Sequence, residues 1–278
     1  MTIKNVTDYI EKLAPLNYAE SFDNVGLLVG NAATKITNIL VTLDTLEDTV
    51  DEAIAKKCNL IISFHPIIFS GLKKITGASY VERVVLKAIK NDIAIYATHT
   101  ALDNAKDGVS SKICDVLGLK NKTILIPKKG IIKKLTTYVP KEAAPNVRQA
   151  LFAVNQNNIG NYSDASFNVL GEGTFKGNEN SAPTIGEKNK FHTEEEIKIT
   201  MLLESKDESQ LLKTLHKNHP YEEVAYEIVT VDNSHQDIGM GMIGEFEEAL
   251  DETVFLHYLK KTMRTECIRH SSLLHKKI

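Results

Sequence analysis

The first 130 residues alternate between short apolar runs and segments of helical periodicity, and this rhythm constrains the fold more than any other feature. Runs of strand length, rich in β-branched residues, occupy 36–43, 60–63 and 93–97. Segments whose apolar residues recur at helical spacing follow each run, at 46–57, 81–90 and 110–117. Strands that alternate with helices of about ten residues are typical of right-handed β-α-β units. The sequence therefore predicts an α/β fold with a sheet of buried parallel strands.

The rhythm changes after residue 130. Strand-like segments lie at 135–139, 166–169, 197–203 and 224–231, and helix-like segments lie at 145–154 and 208–216. Their order, β-α-β-β-α-β, is the ferredoxin-like arrangement. A stretch rich in Gly, Asn and Ser at 171–189 predicts a long loop within it. We interpret 132–232 as a ferredoxin-like domain inserted into a discontinuous α/β domain that consists of 1–131 and 233–278.

Composition argues against several classes of protein. The 278 residues include 33 Lys and Arg against 36 Asp and Glu, so the chain lacks the basic surplus of a dedicated nucleic-acid-binding protein. Its apolar runs are far shorter than a bilayer span, and residues 1–20 lack the pattern of a signal peptide. Three scattered cysteines indicate reduced thiols. We expect a cytoplasmic protein that binds neither nucleic acid nor membranes and takes a small soluble ligand of unknown identity.

Two histidines directly follow two neighbouring predicted strands. His65 follows the strand at 60–63, and His99 follows the strand at 93–97. Asp103 comes four residues after His99, and Asp44 follows the earliest strand. Because ligands gather at the carboxyl ends of parallel strands, these side chains are candidates for one site. Imidazole and carboxylate without thiolate suit a divalent metal such as zinc, manganese or iron, whereas in the alternative the histidines only cap their strands through hydrogen bonds.

Six segments carry a resemblance to a known family. Three lie in the first domain: 22–27 (FDNVGL), 63–69 (SFHPIIF) and 98–104 (THTALDN). Three lie in the insert and at its end: 158–163 (NIGNYS), 219–224 (HPYEEV) and 239–244 (GMGMIG). In this order, along essentially the whole chain, they resemble the Nif-three-like family, whose members are often labelled GTP cyclohydrolase I type 2 homologues.

The resemblance implies a two-metal protein that forms a ring-shaped homo-oligomer, usually a hexamer of two stacked trimers. By position, His65 matches the second histidine of the family's His-His-Pro motif, and Asp103 matches its bridging aspartate, so both are expected metal ligands. His99 matches the histidine that opens the family's His-x-x-x-Asp motif and lines the same cleft. Two residues depart from the pattern: Phe64 replaces the first histidine of the pair and cannot bind a metal, and Phe22 replaces a tryptophan but keeps an aromatic wall.

A further departure concerns the C-terminal end. The family completes its site with a His-x-x-x-Glu pair that follows a Gly-Gly-rich turn, and this sequence stops at Ile278, about where that segment would begin. We expect a shortened chain that lacks part of the sheet and half of its ligands; the alternative is a natural end at this residue. A catalytic zinc generally has three protein ligands and water, and the resemblance secures only two here.

The sequence supports two classes of function. In the first, a divalent metal at His65 and Asp103 makes water a nucleophile toward a C–N bond, and His99 moves protons or holds the substrate. The family label would make that substrate GTP, although no phosphate-binding loop with a lysine supports it. In the second, the chain is a non-enzymatic, metal-dependent binding or regulatory ring scaffold, or an inactive truncated remnant.

Two further motifs leave alternatives open. Gly239-x-Gly241-x-x-Gly244 is similar to a dinucleotide-binding fingerprint, but no acidic residue follows about twenty positions later, so a flexible hinge is the simpler interpretation. His219-Pro-Tyr-Glu-Glu either lines a small-molecule cleft or forms a turn whose proline and tyrosine pack the insert.

Overall fold

The computed structural model describes residues 1–155 and 161–278. These residues form two compact units, the first from Met1–Lys128 with Gln236–Ile278 and the second from Lys129–His235. Within the described residues, every helix is too short or too polar to cross a membrane.

The first unit opens with the predicted alternation of strands and helices. Its helices before the second unit are α1 (Ile3–Leu13), α2 (Glu47–Ala55), α3 (Tyr80–Lys90), α4 (His99–Asp103) and α5 (Val109–Val116). Its strands are β1 (Gly26–Val29), β2 (Ile39–Thr42), β3 (Leu60–Ser63), β4 (Ala94–Ala97) and β5 (Lys120–Pro127). Four of these strands form a sheet in the order β1-β4-β3-β2, in which β2, β3 and β4 are parallel. The α/β prediction is therefore confirmed, although the antiparallel edge strand β1 was not predicted.

The two central strands carry the core of the first unit. Along β3 and β4 nearly every side chain is buried, because helices cover the sheet and leave no polar face. Val84 and Ala88 on α3, with Val50 on α2, pack against the same cluster. Ser79 caps the first turn of α3 by accepting a hydrogen bond from the amide of Glu82.

The strand predicted at 36–43 exists in shorter form, but the prediction that it is buried is wrong. Only 39–42 form a strand, and Val41 is 75% exposed. β2 lies at the edge of the sheet and pairs on one side only, with β3. A continuous apolar run cannot distinguish an edge strand from a central one, which explains the error.

The second unit contains β6 (Ile132–Pro140), α6 (Ala144–Phe152), β7 (Phe167–Lys176), β8 (Phe191–Glu204), α7 (Glu208–Asn218) and β9 (Tyr226–Thr230). The sheet has the order β7-β8-β6-β9, and each neighbouring pair is antiparallel. Leu135, Ile199 and Leu203 from the sheet pack against Leu211 and Leu215 from α7. Residues 158–160 of the predicted insert motif at 158–163 lie outside the described residues.

The predicted long loop at 171–189 is wrong over its first third. Residues 171–176 continue β7 and pair with 191–196 of β8. On the N-terminal side of Glu196, β8 no longer pairs with its other partner β6, whose last paired residue is Pro140. The β7–β8 ribbon thus projects past the rest of the sheet. The strand at 171–176 was not predicted because its glycines are typical of loops.

The chain then returns to the first unit through β10 (Gly239–Glu245) and α8 (Glu252–Thr262). β10 pairs antiparallel with β5, so the glycine motif at 239–244 forms a strand and neither a dinucleotide-binding turn nor a hinge. A β-carbon on Gly239 would lie 2.1 Å from the carbonyl oxygen of Ile126, and this close approach requires the glycine.

Candidate functional site

The structure brings the two predicted histidines together at the carboxyl ends of β3 and β4. His65 lies two residues past the end of β3, and His99 begins α4 two residues past the end of β4. Their ring centroids are 5.5 Å apart, with the planes inclined at 72°. Since β3 and β4 are parallel neighbours in register, their ends must place these side chains side by side.

His65 is paired with a carboxylate. Its Nδ1 lies 2.8 Å from Oδ1 of Asp44, which follows β2, and both side chains are about half exposed. The neighbouring strand therefore orients the imidazole. With a proton on Nδ1 donated to Asp44, Nε2 keeps its lone pair free, because it makes no hydrogen bond to a described residue.

His99 is held in the same way by a carboxylate that is fully buried. Its Nδ1 lies 2.8 Å from Oδ1 of Asp23, whose side chain is 0% exposed. Asp23 also accepts hydrogen bonds from the hydroxyl and amide of Thr100 and from the amide of Asn24. Burial acts to raise the pKa of Asp23, but these hydrogen bonds together hold it below its ordinary value. Asp23 is therefore an ionised anchor for the ring of His99.

The backbone of His99 is strained. Its φ is +28°, in the left-handed region that residues other than glycine seldom adopt. Such strain persists only where the surroundings fix it, and it is concentrated at functional sites. Here the constraint comes from the hydrogen bond between the ring and Asp23 and from the hydrogen bond that the backbone amide of His99 donates to the carbonyl of Phe64.

Asp103 closes the cluster from the end of α4. Its half-buried carboxylate accepts no hydrogen bond from the described residues. Burial raises its pKa above the ordinary value, while the nearby His99 and His65 oppose that rise and Asp23 adds to it. A nearby positive charge would therefore stabilise the ionised form of Asp103.

Three of the segments that carry the family resemblance meet at this cluster. Asn24 in the segment 22–27 donates its amide to the carbonyl of Ile68 in the segment 63–69, at 2.6 Å. Asp23 in the same segment binds His99 and Thr100 in the segment 98–104. The contribution of Asp23 was not predicted, although the motif that contains it was recognised.

Aromatic rings pack against the histidines. The centroid of Phe64 lies 5.0 Å from that of His65 and 5.5 Å from that of His99, and Phe69 lies 6.4 Å from His99. Phe22, expected as an aromatic wall, is 62% exposed and makes no ring contact with the histidines in the described part of the chain. The apolar wall therefore comes from the segment 63–69.

The chemistry of the donors fits a divalent cation. A metal-binding histidine usually donates its second ring N–H to a carboxylate, as His65 and His99 do here. The number of donors is the weaker part of the fit: across 1–155 and 161–278, no three histidine, cysteine, aspartate or glutamate side chains form a group that could itself hold a metal.

Comparisons with known proteins agree with the pattern of motifs. The family model described as Duf34/NIF3 (NGG1p interacting factor 3) matches residues 1–278. A Bacillus subtilis protein named GTP cyclohydrolase 1 type 2 homolog is 35% identical over 267 residues, which cover 96% of this chain and 72% of that protein. A Halalkalibacterium halodurans protein with the same name is 36% identical over 259 residues, which cover 93% of this chain and 70% of the relative.

A solved structure has the same fold. The crystal structure of a Bacillus cereus protein related to NIF3 superposes with a TM-score of 0.81 at 33% identity. The match covers 100% of this chain and 74% of the other chain.

Proposed function

This chain belongs to the Duf34/NIF3 family, and from that premise we propose that its histidine cluster is the centre of a metal-dependent hydrolase that acts on a C–N bond. The observation that carries the proposal is the pairing of each histidine with a carboxylate through Nδ1, at 2.8 Å in both cases. That pairing leaves two Nε2 atoms on rings 5.5 Å apart beside the carboxylate of Asp103.

A divalent cation, zinc, manganese or iron, would be held by His65 and Asp103. It would supply Lewis acidity, which polarises a substrate and makes water a better nucleophile at neutral pH. Asp44 fixes the tautomer of His65, so that Nε2 is the donor atom.

The other residues of the cluster would transfer protons and line the site. His99 accepts a proton at Nε2, and the buried carboxylate of Asp23 stabilises the imidazolium that results. Phe64 and Phe69 pack edge-on against the ring of His99 and supply an apolar wall beside it. The names of the curated relatives suggest GTP as a substrate, opened at its purine ring.

A second candidate function is a metal-dependent binding or regulatory scaffold without turnover. Phe64 favours it, because an apolar ring stands in contact with both histidines where the resembling family has a third donor. In either case we propose a ring-shaped homo-oligomer, with a hexamer as the expected size and cytoplasm as the location. We also propose that the second unit is a ferredoxin-like insert, which its β-α-β-β-α-β order and the strand order β7-β8-β6-β9 support.

The proposal is tested by hydrolysis assays with GTP and simple amides in the presence of Mn²⁺ or Zn²⁺. We expect metal-dependent turnover that falls at least about a hundredfold in His65→Ala and Asp103→Ala. His99→Gln should lose turnover while it keeps the metal. The control is Glu195→Gln, because Glu195 is an exposed residue of the second unit that pairs with Lys141. Turnover that is unchanged in His65→Ala and Asp103→Ala would rule out the metal mechanism at this cluster, and metal binding without turnover would favour the scaffold.

A further inference from the structure

The second unit contains a cavity of about 620 Å³. This volume is within the range that holds a small organic molecule. Its walls come from the ribbon of β7 and β8, from the loop that joins these strands, and from the turn before β9. None of the residues that line it belongs to the first unit, so it is separate in composition from the histidine cluster.

Two hydrogen bonds fasten the loop over the cavity. The amide of Ala182 donates to Oε1 of Glu222 at 2.7 Å, and the hydroxyl of Thr184 donates to the carbonyl of Pro220 at 2.7 Å. The loop is therefore tied to the motif at 219–224. Tyr221 lines the cavity, as the first interpretation of that motif expects, and its ring packs against Phe175 and His219, as the second expects of the tyrosine. His219 itself is buried, and its Nε2 lies 2.9 Å from the carbonyl oxygen of Tyr138.

A buried carboxylate lines the cavity. Glu196 is only 8% exposed, and its Oε1 accepts a hydrogen bond from the hydroxyl of Tyr221 at 2.8 Å. Within the described residues, Oε2 accepts no hydrogen bond and forms no ion pair. Opposite it, Gly173 leaves room for the carboxylate, since a β-carbon there would lie 2.2 Å from Oε2. A carboxylate with this degree of burial and one hydrogen bond is incompletely compensated.

The rest of the lining supplies aromatic surface and negative charge. The rings of Phe175 and Tyr221 lie 5.8 Å apart, and Tyr138 lines the cavity as well. The lining contains four glutamates against two lysines, one of which, Lys198, directs its ammonium toward the ring of Tyr138 at 6.0 Å. Burial and the neighbouring Glu196 raise the pKa of the Tyr221 hydroxyl, so it stays a donor to the carboxylate.

We propose that this cavity binds a small organic cation, with a protonated amine at the carboxylate of Glu196 and an apolar or aromatic body against Phe175 and Tyr221. A cation would compensate the buried charge through a charge-assisted hydrogen bond. Aromatic faces attract a desolvated ammonium further. An anion would meet an excess of carboxylates, and a neutral ligand would leave Glu196 without a counter-charge.

Three ligands with the same ring and the same two-methylene linker test the charge requirement. They are tryptamine, tryptophol and indole-3-propionate, which end in an ammonium, a hydroxyl and a carboxylate. The protein has no tryptophan, so indole fluorescence anisotropy reports the bound ligand without background. We expect tryptamine to bind at least about tenfold more tightly than tryptophol, and indole-3-propionate to bind most weakly.

Variants assign the effect to the buried carboxylate. Glu196→Gln keeps the shape of the side chain and should erase the preference for tryptamine. Glu195→Gln removes a charge one residue away, at a carboxylate that pairs with Lys141. This variant should keep the preference for tryptamine. Tyr221→Phe should weaken tryptamine binding by a smaller factor, and it serves as the second test if Glu196→Gln does not fold.

The outcomes separate the proposal from its alternatives. Equal binding of the three ligands, failure of all three to bind at millimolar concentration, or a preference for tryptamine that survives in Glu196→Gln would each overturn it. A preference lost in Glu196→Gln and kept in Glu195→Gln would establish the site. None of these results depends on metal binding or hydrolysis in the first unit.

Discussion

Each unit buries one carboxylate beside its candidate site, and the two carboxylates are satisfied to different degrees. Asp23 in the first unit accepts hydrogen bonds from His99, from Asn24 and twice from Thr100. Glu196 in the second unit accepts one, from Tyr221, among the described residues, and it lines a cavity. Burial of a carboxylate is costly until hydrogen bonds or a counter-charge compensate it.

The difference separates a positioning role from a binding role. The charge of Asp23 is already compensated inside the protein, so its contribution is the fixed orientation of His99. Glu196 retains capacity for another donor, so its contribution appears when a ligand arrives. Removal of Asp23 should therefore affect stability, and removal of Glu196 should affect binding.

The largest expected effect is the loss of stability in Asp23→Ala. The substitution leaves His99 and the hydroxyl of Thr100 without their partner, and breaking such a buried pair costs about 3 kcal/mol. Urea denaturation followed by circular dichroism measures the change. Asp44→Ala removes the half-exposed partner of His65 and should cost less than about 1 kcal/mol. Equal losses in the two variants would contradict the role assigned to burial.

Glu196→Ala sharpens the same comparison. Because only one hydrogen bond to the carboxylate is lost, we expect a cost of about 1 kcal/mol or less by the same denaturation assay. A loss as large as that of Asp23→Ala would mean that Glu196 is a structural residue.

The next effect concerns metal affinity in Phe64→His. The new imidazole would stand about where the ring of Phe64 now contacts both histidines, and an added ligand should tighten binding by about tenfold or more. Competition with a chelating indicator for Zn²⁺ measures the change. Phe64→Leu, which removes the ring without adding a donor, is the control. Affinity that rises equally in both variants would show that the ring only blocks access.

A smaller effect is expected at Gly173 of β7, which adjoins the buried carboxylate. In Gly173→Ala the new methyl group must displace the end of the Glu196 side chain and no backbone atom, so stability should change by less than about 1 kcal/mol. Tryptamine binding should nevertheless fall several-fold. Gly71→Ala in the first unit meets no atom within 4 Å, does not line the cavity and should bind tryptamine as before. A fall in both variants, or in neither, would argue against the placement of Glu196.

The smallest effect is a dependence of stability on pH from His219. Burial lowers the pKa of this histidine, so the folded protein keeps it neutral while the unfolded chain takes up a proton near the usual value of 6.5. Its contribution to stability is complete above that value and decreases as the pH falls below it. Urea midpoints at pH 7.5 and 5.5 should differ less in His219→Gln than in the parent protein. An identical difference in both would contradict this assignment.

Much of the first unit could be predicted from its sequence because its central elements are locally encoded. The run at 60–63 is apolar and β-branched, and it forms β3 at the predicted residues. The edge position of β2 could not be predicted, since it depends on the order of strands. β10 was missed because its three glycines have low strand propensity. They fit there because the neighbouring chain approaches closely, and local sequence does not report that approach.

The candidate sites follow the same logic. His65 and His99 were identified because they follow predicted strands that are neighbours in a parallel sheet, and Asp103 because it lies four residues after His99. The roles of the three residues came from the family resemblance. Asp23 is 76 residues away from His99 in sequence, and only the fold joins them. The cavity of the second unit was missed almost entirely, because its wall is a strand where a loop was predicted.

The metal content of the purified protein tests the central claim most directly. Protein prepared without tags or chelators is measured by elemental analysis, beside His65→Ala and the matched control Glu195→Gln. We predict about one equivalent or more of a divalent transition metal per chain in the parent and the control, and its loss in His65→Ala. A parent protein without bound metal, or metal retained in His65→Ala, would contradict the assignment of the histidine cluster as a metal centre.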